Sequence, residues 1–153
     1  MILWQEGLNC PFSKRGEIKM KHIELINAVS QTVTSGNKIA LGNVNIKLCN
    51  GAFSYNGTDT LTLVQPGVYQ IIVKADLTGT VATQVVSYAI GYNGTVSSVA
   101  SATSVTAEIG DTITLSIPKL VKICNAPISI TLVNDGVDST TYNNIIVDVV
   151  KVA

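Results

Sequence analysis

Residues 61–80, Leu-Thr-Leu-Val-Gln-Pro-Gly-Val-Tyr-Gln-Ile-Ile-Val-Lys-Ala-Asp-Leu-Thr-Gly-Thr, leave no room for a helix. Two runs rich in β-branched residues meet at Gln65-Pro66-Gly67. Proline presets φ and glycine accepts a positive φ, so the segment predicts strand, tight turn, strand. The same grammar recurs to the C-terminus. Alternation is strict in residues 43–48, Asn-Val-Asn-Ile-Lys-Leu, and in 112–117, Thr-Ile-Thr-Leu-Ser-Ile, which marks strands with one wet and one dry face. Asn50-Gly51, Asn56-Gly57 and Asn93-Gly94 predict hairpin-type turns, Gly110-Asp111 and Asn134-Asp135-Gly136 further turns, and Pro118 is expected to stop the strand before it. Strands are also expected in residues 24–34, 52–55, 59–65, 67–77, 83–92, 127–133 and 145–152, and over most of 95–109. About ten short antiparallel strands at this spacing predict an all-β fold, a sandwich or jelly roll rather than βαβ units.

A chain of 153 residues is long enough to bury a core as one domain without metals or disulfides. Hydrophobic residues make up 46% and charged residues only 13%, against about 25% charged in an average globular protein. So few charges cover a monomer's surface poorly, which predicts that part of it is buried against other subunits. The formal charge is zero and the lysines are scattered, so no electrostatic footprint for nucleic acid is present. The apolar runs are broken well short of the roughly 18 residues of a membrane-spanning helix, and no membrane insertion is expected.

Composition changes at Met20. Trp4, the only tryptophan, Arg15, the only arginine, Cys10 and Phe12 all precede it. Two readings stand for residues 1–19: an N-terminal arm that reaches a neighbouring subunit, or a mistranslated leader with Met20 as the genuine start. Lys14-Arg15-Gly16-Glu17 back-translates to a purine-rich run of the kind that precedes a bacterial start codon. Residues 20–39 are expected to form an N-terminal strand and connector, and 40–153 the jelly-roll domain. Neither methionine opens a charged segment, an apolar run and a small-residue cleavage site in that order, so a secretory signal is not expected. The low-charge Ser/Thr/Asn/Gly style nevertheless suits a protein deployed outside a cell. Synthesis in a bacterial cytoplasm followed by display on a virion released by lysis meets both conditions, and so does a spore or cell surface.

Candidate chemistry is thin. His22 is the only histidine, too little for a metal centre that needs several converging ligands. No hydroxyl nucleophile has a base placed beside it, and Asp135 and Asp138 read as a solvated loop. Neither an enzyme activity nor a cofactor nor a bound metal is expected. Cys49 and Cys124 each end an apolar run just before Asn. They form an intrachain disulfide if those strand ends adjoin, or remain free thiols, the commoner outcome in a reducing cytoplasm. Cys10 is a candidate crosslink between subunits if the arm is real. Asn56-Gly57-Thr58 and Asn93-Gly94-Thr95 match a glycosylation pattern but read better as hairpin turns. Among the tyrosines, Tyr69 and Tyr88 are expected in packing or an interface. Tyr92 and Tyr142, beside the Asn-rich loops, are the exposed candidates, and with Asn93, Asn134 and Asp135 they form the candidate ligand-binding set.

Three patterns resemble the tumour-necrosis-factor-like and complement globular-head jelly rolls of the prokaryotic, phage or bacterial-surface type. Pro66-Gly67-Val68-Tyr69-Gln70-Ile71 is similar to that superfamily's glycine, hydrophobic, tyrosine signature. Glu108-Ile109-Gly110-Asp111-Thr112-Ile113 resembles its glycine-aspartate hairpin, and an apolar strand over residues 145–152 closes the chain. The likeness spans roughly residues 40–153 and implies a ten-stranded jelly roll packed as a compact homotrimer. On that reading Tyr69, Ile71, Val73, Tyr88, Ile90, Ile146, Val147 and Val149 are the expected subunit-interface residues. The expected role is a non-enzymatic decoration or fibre component of a phage virion, with itself and other virion or surface proteins as partners. The alternatives are an adhesin head that binds a cell-surface glycan or receptor, and a spore-surface or extracellular fibre subunit joined by its arm. The chain lacks a Gly-X-Y stalk and an acidic calcium constellation.

Overall fold

The computed structural model describes residues 20–48 and 50–153. Eleven strands account for most of them: β1 (Lys21–Asn27), β2 (Gln31–Val33), β3 (Asn43–Leu48), β4 (Phe53–Tyr55), β5 (Leu61–Leu63), β6 (Gly67–Gly79), β7 (Gln84–Tyr92), β8 (Thr95–Thr106), β9 (Thr112–Ile123), β10 (Ile128–Val133) and β11 (Thr140–Lys151). They form two antiparallel sheets that face each other as a jelly-roll sandwich. The larger sheet runs β3-β1-β11-β6-β9, with β2 pairing the start of β11, and the smaller runs β4-β5-β10-β7-β8. Residues 20–39 thus supply β1 and β2 of the same sandwich that 40–153 completes.

Period-two alternation builds the core. Along β6, Tyr69, Ile71, Val73, Ala75 and Leu77 point into the sandwich, and across the sheet Ile23, Leu25, Val147 and Val149 join them. Val86, Tyr88 and Ile90 of β7 and Ile130 and Leu132 of β10 fill the space from the smaller sheet. Two tyrosines pin the sheets together in opposite senses. The Tyr88 hydroxyl crosses from β7 to donate to the Leu115 carbonyl of β9 at 2.8 Å, and the Tyr142 hydroxyl crosses from β11 to donate to the Ser87 carbonyl of β7 at 2.7 Å. Their rings meet edge to face at 6.3 Å. Each buried hydroxyl has the partner that burial demands.

The turn chemistry is as expected at Asn93-Gly94, where φ of 50° and 86° makes the primed hairpin turn that joins β7 to β8. At Asn56-Gly57 the Asn56 Oδ1 accepts backbone N–H groups from Thr58, Asp59 and Thr60. Four local expectations are corrected. Gln65-Pro66-Gly67 connects β5 in the smaller sheet to β6 in the larger, so it is a crossing between layers rather than a hairpin. Gly67 is required there for a second reason: a Cβ would lie 2.4 Å from the Ala153 carbonyl oxygen. Asn50-Gly51 opens a short 3-10 turn that likewise leads from one sheet to the other. Pro118 lies within β9 instead of ending it, because β9 is an edge strand and one side of its backbone owes no hydrogen bond to a neighbour. The closing strand begins at Thr140, five residues earlier than expected, and takes the polar stretch through Asn144 into the sheet with a bulge.

Candidate assembly surface

Seven of the eight residues expected at a subunit interface, Tyr69, Ile71, Val73, Tyr88, Ile90, Val147 and Val149, are 0–1% exposed inside the single chain. A side chain already enclosed between two sheets has no surface left to give a partner, so these residues are core. Ile146 alone of the set lies partly exposed on the outer side of the larger sheet.

That outer side is the surface of interest. Because β6 turns its odd-numbered residues inward, Gln70, Ile72 and Lys74 face out, and the register fixes what stands beside them. One row across the sheet reads Leu48, His22, Val150, Gln70, Leu120. The next reads Ile46, Glu24, Asp148, Ile72, Pro118, and a third carries Ile26, Ile146, Lys74 and Ser116. With strands about 4.8 Å apart these side chains are contiguous. Ile72, on an interior strand, is 42% exposed, and Leu120 beside it on the edge strand β9 is 61% exposed, unusual for branched apolar groups in a sheet. In the centre His22 Nε2 contacts Asp148 Oδ1, and Glu24 accepts from Asn45 Nδ2 at 2.8 Å. At the opposite end of the face the character changes. Thr32, Thr141, Thr78 and Thr112 form a row of hydroxyls, and Asp76 accepts from Thr114 and Asn144. Those two hydrogen bonds hold the Asp76 carboxyl below the usual carboxylate range, against a small opposing effect of burial.

The sequence carried a signal for this surface. In Gln70-Ile71-Ile72-Val73-Lys74 an apolar residue falls out of phase with the alternation, and Ile145-Ile146-Val147 and Lys119-Leu120-Val121 repeat the pattern. These residues place apolar groups on a parity that is otherwise mostly polar.

The candidate ligand set does not come together. Tyr142 and Asn134 are fully buried. Tyr142 was expected exposed, but its position in β11 puts it on the inward parity, and burial raises its phenol pKa as it does that of Tyr88. Asn134 is a turn former: its amide donates to the Val33 and Asp138 carbonyls and its Oδ1 accepts from Gly136 N–H. Asp135 is exposed beside it and accepts from the Ser87 hydroxyl at 2.5 Å. Tyr92 and Asn93 lie at the other end of the smaller sheet, where Asn93 Oδ1 accepts from Ser129. The length of β10, about 15 Å, separates the two groups. The Tyr92 hydroxyl is buried without a hydrogen-bond partner, and burial raises its pKa. Cys124 is free and exposed. Cys49 and Cys10 lie outside the described residues. The strand ends at Leu48 and Ile123 do not adjoin, since β3 and β9 are opposite edges of the larger sheet.

No protein-family model matches the chain, and no curated protein does. Solved structures do. The globular domain of the zebrafish complement 1qA protein superposes with a TM-score of 0.66 at 11% identity, covering 87% of this chain and 98% of that one. An Eiger TNF from S. frugiperda gives 0.66 at 12% identity over 88% of this chain and 92% of its own. Murine APRIL at pH 5.0 gives 0.69 at 9% identity over 88% of this chain and 100% of its own. The fold is therefore the jelly roll of tumour-necrosis-factor-like and complement-head domains, as the sequence patterns imply.

Proposed function

We propose that this protein is a non-enzymatic assembly subunit that forms a homotrimer through the outer face of its larger sheet and serves as a decoration or fibre component at the surface of a phage virion. The observation that carries the assembly reading is the set of outward apolar residues on a chain with few charges: Ile72, Leu120, Ile146 and Val150 together on β6, β9 and β11, and Ile46 and Leu48 on β3 beyond the polar His22 and Glu24 of β1. Single exposed apolar residues are ordinary, but a group of them on four strands of one face marks a contact surface. The trimeric state follows the family resemblance, and a closed ring of identical contacts leaves no copy of the patch uncovered. The low charge and the Ser/Thr/Asn/Gly-rich composition support deployment on a particle surface.

The test is the solution mass of the chain by light scattering over a range of concentrations. A mass three times the 16.1 kDa of one chain supports the reading, and a monomer at every concentration rejects it. Negative-stain localisation of a labelled subunit on purified particles tests the virion placement independently.

A further inference from the structure

The middle of the proposed contact face is not apolar. Register pairing sets Glu24 of β1 directly opposite Asp148 of β11, and His22, one diagonal step away opposite Val150, contacts the Asp148 carboxylate. Two carboxylates therefore stand near one imidazole, which contacts only Asp148. Asn45, on β3, gives Glu24 a neutral amide only, and β3 otherwise offers Leu48 and Ile46 to this spot. From the other side β6 presents Gln70 and Ile72, and beyond them β9 presents Leu120 and Pro118. Lys74, opposite Ile146, is likewise one diagonal step from Asp148 but makes no ion pair with it, and lies close enough to Asp76 to help hold that carboxylate charged. Lys122 stands at the β9 edge, and Lys21, Lys47 and Lys151 occupy register positions of the opposite parity.

We propose that self-association takes up protons at His22, so that the assembly tightens as the medium is acidified from about pH 8 to about pH 5.5. The inference rests on the self-association reading above. In the separate chain His22 is 19% and Asp148 35% exposed, and water screens the two carboxylates from each other. A covering subunit removes that water. Like charges directly opposite across strands are unfavourable, and buried charges demand partners. A neutral imidazole leaves Glu24 and Asp148 with no cation in contact under the partner, whereas an imidazolium balances one of them and attracts the other. The charged form of His22 is thus favoured in the assembly. By linkage, association strengthens as pH falls through the imidazole range and weakens as pH rises through it.

The experiment is sedimentation equilibrium of the full chain at about pH 8 and about pH 5.5, with circular dichroism at both to confirm the fold. The concentration at half-dissociation should fall about tenfold or more on acidification, given up to one proton per subunit. His22→Gln should abolish that shift. Glu24→Gln, which leaves the His22–Asp148 contact in place, should reduce it and strengthen assembly at the higher pH. A wild-type trimer with the same midpoint at both values, or a His22→Gln variant or, should that one not fold, a Glu24→Gln variant that keeps the full shift, overturns this inference and leaves the trimer standing. A chain that is monomeric throughout overturns both.

Discussion

The two faces of the larger sheet are made of nearly the same side chains and have opposite fates. On the inner face Ile71, Val73, Val147 and Val149 are sealed by the smaller sheet. On the outer face Ile72, Ile146 and Val150, their immediate chain neighbours, meet solvent along with Leu120 and Pro118. The inner face excludes ionisable groups from its middle, while the outer one holds His22, Glu24 and Asp148 at its centre. The outward side of the smaller sheet is different again: Ser87, Ala89, Gly91 and Thr131 are small and already buried within the chain, and the exposed apolar pair Val85 and Val105 stands at its β7–β8 edge. The core is therefore complete in one subunit, and the outer face of the larger sheet resembles a second core that lacks its lid.

The comparison breaks hardest at two pairs of neighbours. Val147→Asp places a carboxylate with no partner inside the sandwich, a change expected to cost on the order of 4 kcal/mol or more and to leave little folded protein in a thermal melt. Ile72→Asp and Leu120→Asp should leave the melting curve of the separate chain nearly unchanged and remove about 2 kcal/mol or more of association each, read as a fall in mass by light scattering. If Ile72→Asp unfolds the chain as Val147→Asp does, the outer face is part of the fold and not a contact surface.

These predictions also show what the sequence disclosed. Alternation, the Asn-Gly turns and the absence of helical period carried the fold class and most strand positions, because those signals are local. Which sheet each strand joins is not local: Gln65-Pro66-Gly67 reads the same as a hairpin or as a crossing between layers. The residues expected at an interface, Ile146 apart, lie on the parity that the chain itself buries. Tyr69, Ile71 and Val73 stand out by their apolarity, yet the most regular apolar positions of a strand are the ones its own domain buries, and only the out-of-phase Ile72 stays exposed. The Asn-rich surroundings of Tyr142 suggest exposure, but β11 absorbs them through a bulge and Tyr142 is buried. The pairing of His22 with Asp148 joins residues 126 positions apart and left no local trace.

Removing a tyrosine hydroxyl sharpens the inner half of the comparison at smaller cost. Tyr88→Phe and Tyr142→Phe keep the ring packing and leave the Leu115 or Ser87 carbonyl without its donor. Each should lower stability by about 1–2 kcal/mol in a denaturant titration. The double variant tests whether the two crossings act together, since their rings are in contact and non-additivity is expected. Neither substitution should alter the assembled mass.

The smallest effect belongs to Asp76, at the polar end of the outer face. Its carboxylate is held ionised by Thr114 and Asn144, so its folded pKa lies below the unfolded value. Such a group contributes stability that is fully present above the unfolded carboxylate pKa and is lost as pH falls through the folded one. Because the site is open to solvent, Asp76→Asn should cost no more than about 0.5 kcal/mol near neutrality. The difference between variant and wild type should vanish in melts taken below the folded pKa. A variant that stays less stable than wild type in strong acid would show that Asp76 acts through packing of the bulge at Asn143–Asn144 rather than through its charge. Assembly should be indifferent to this change, since the hydroxyl-rich end lies beyond the apolar rows, and a mass that falls with Asp76→Asn would extend the contact surface across the whole sheet.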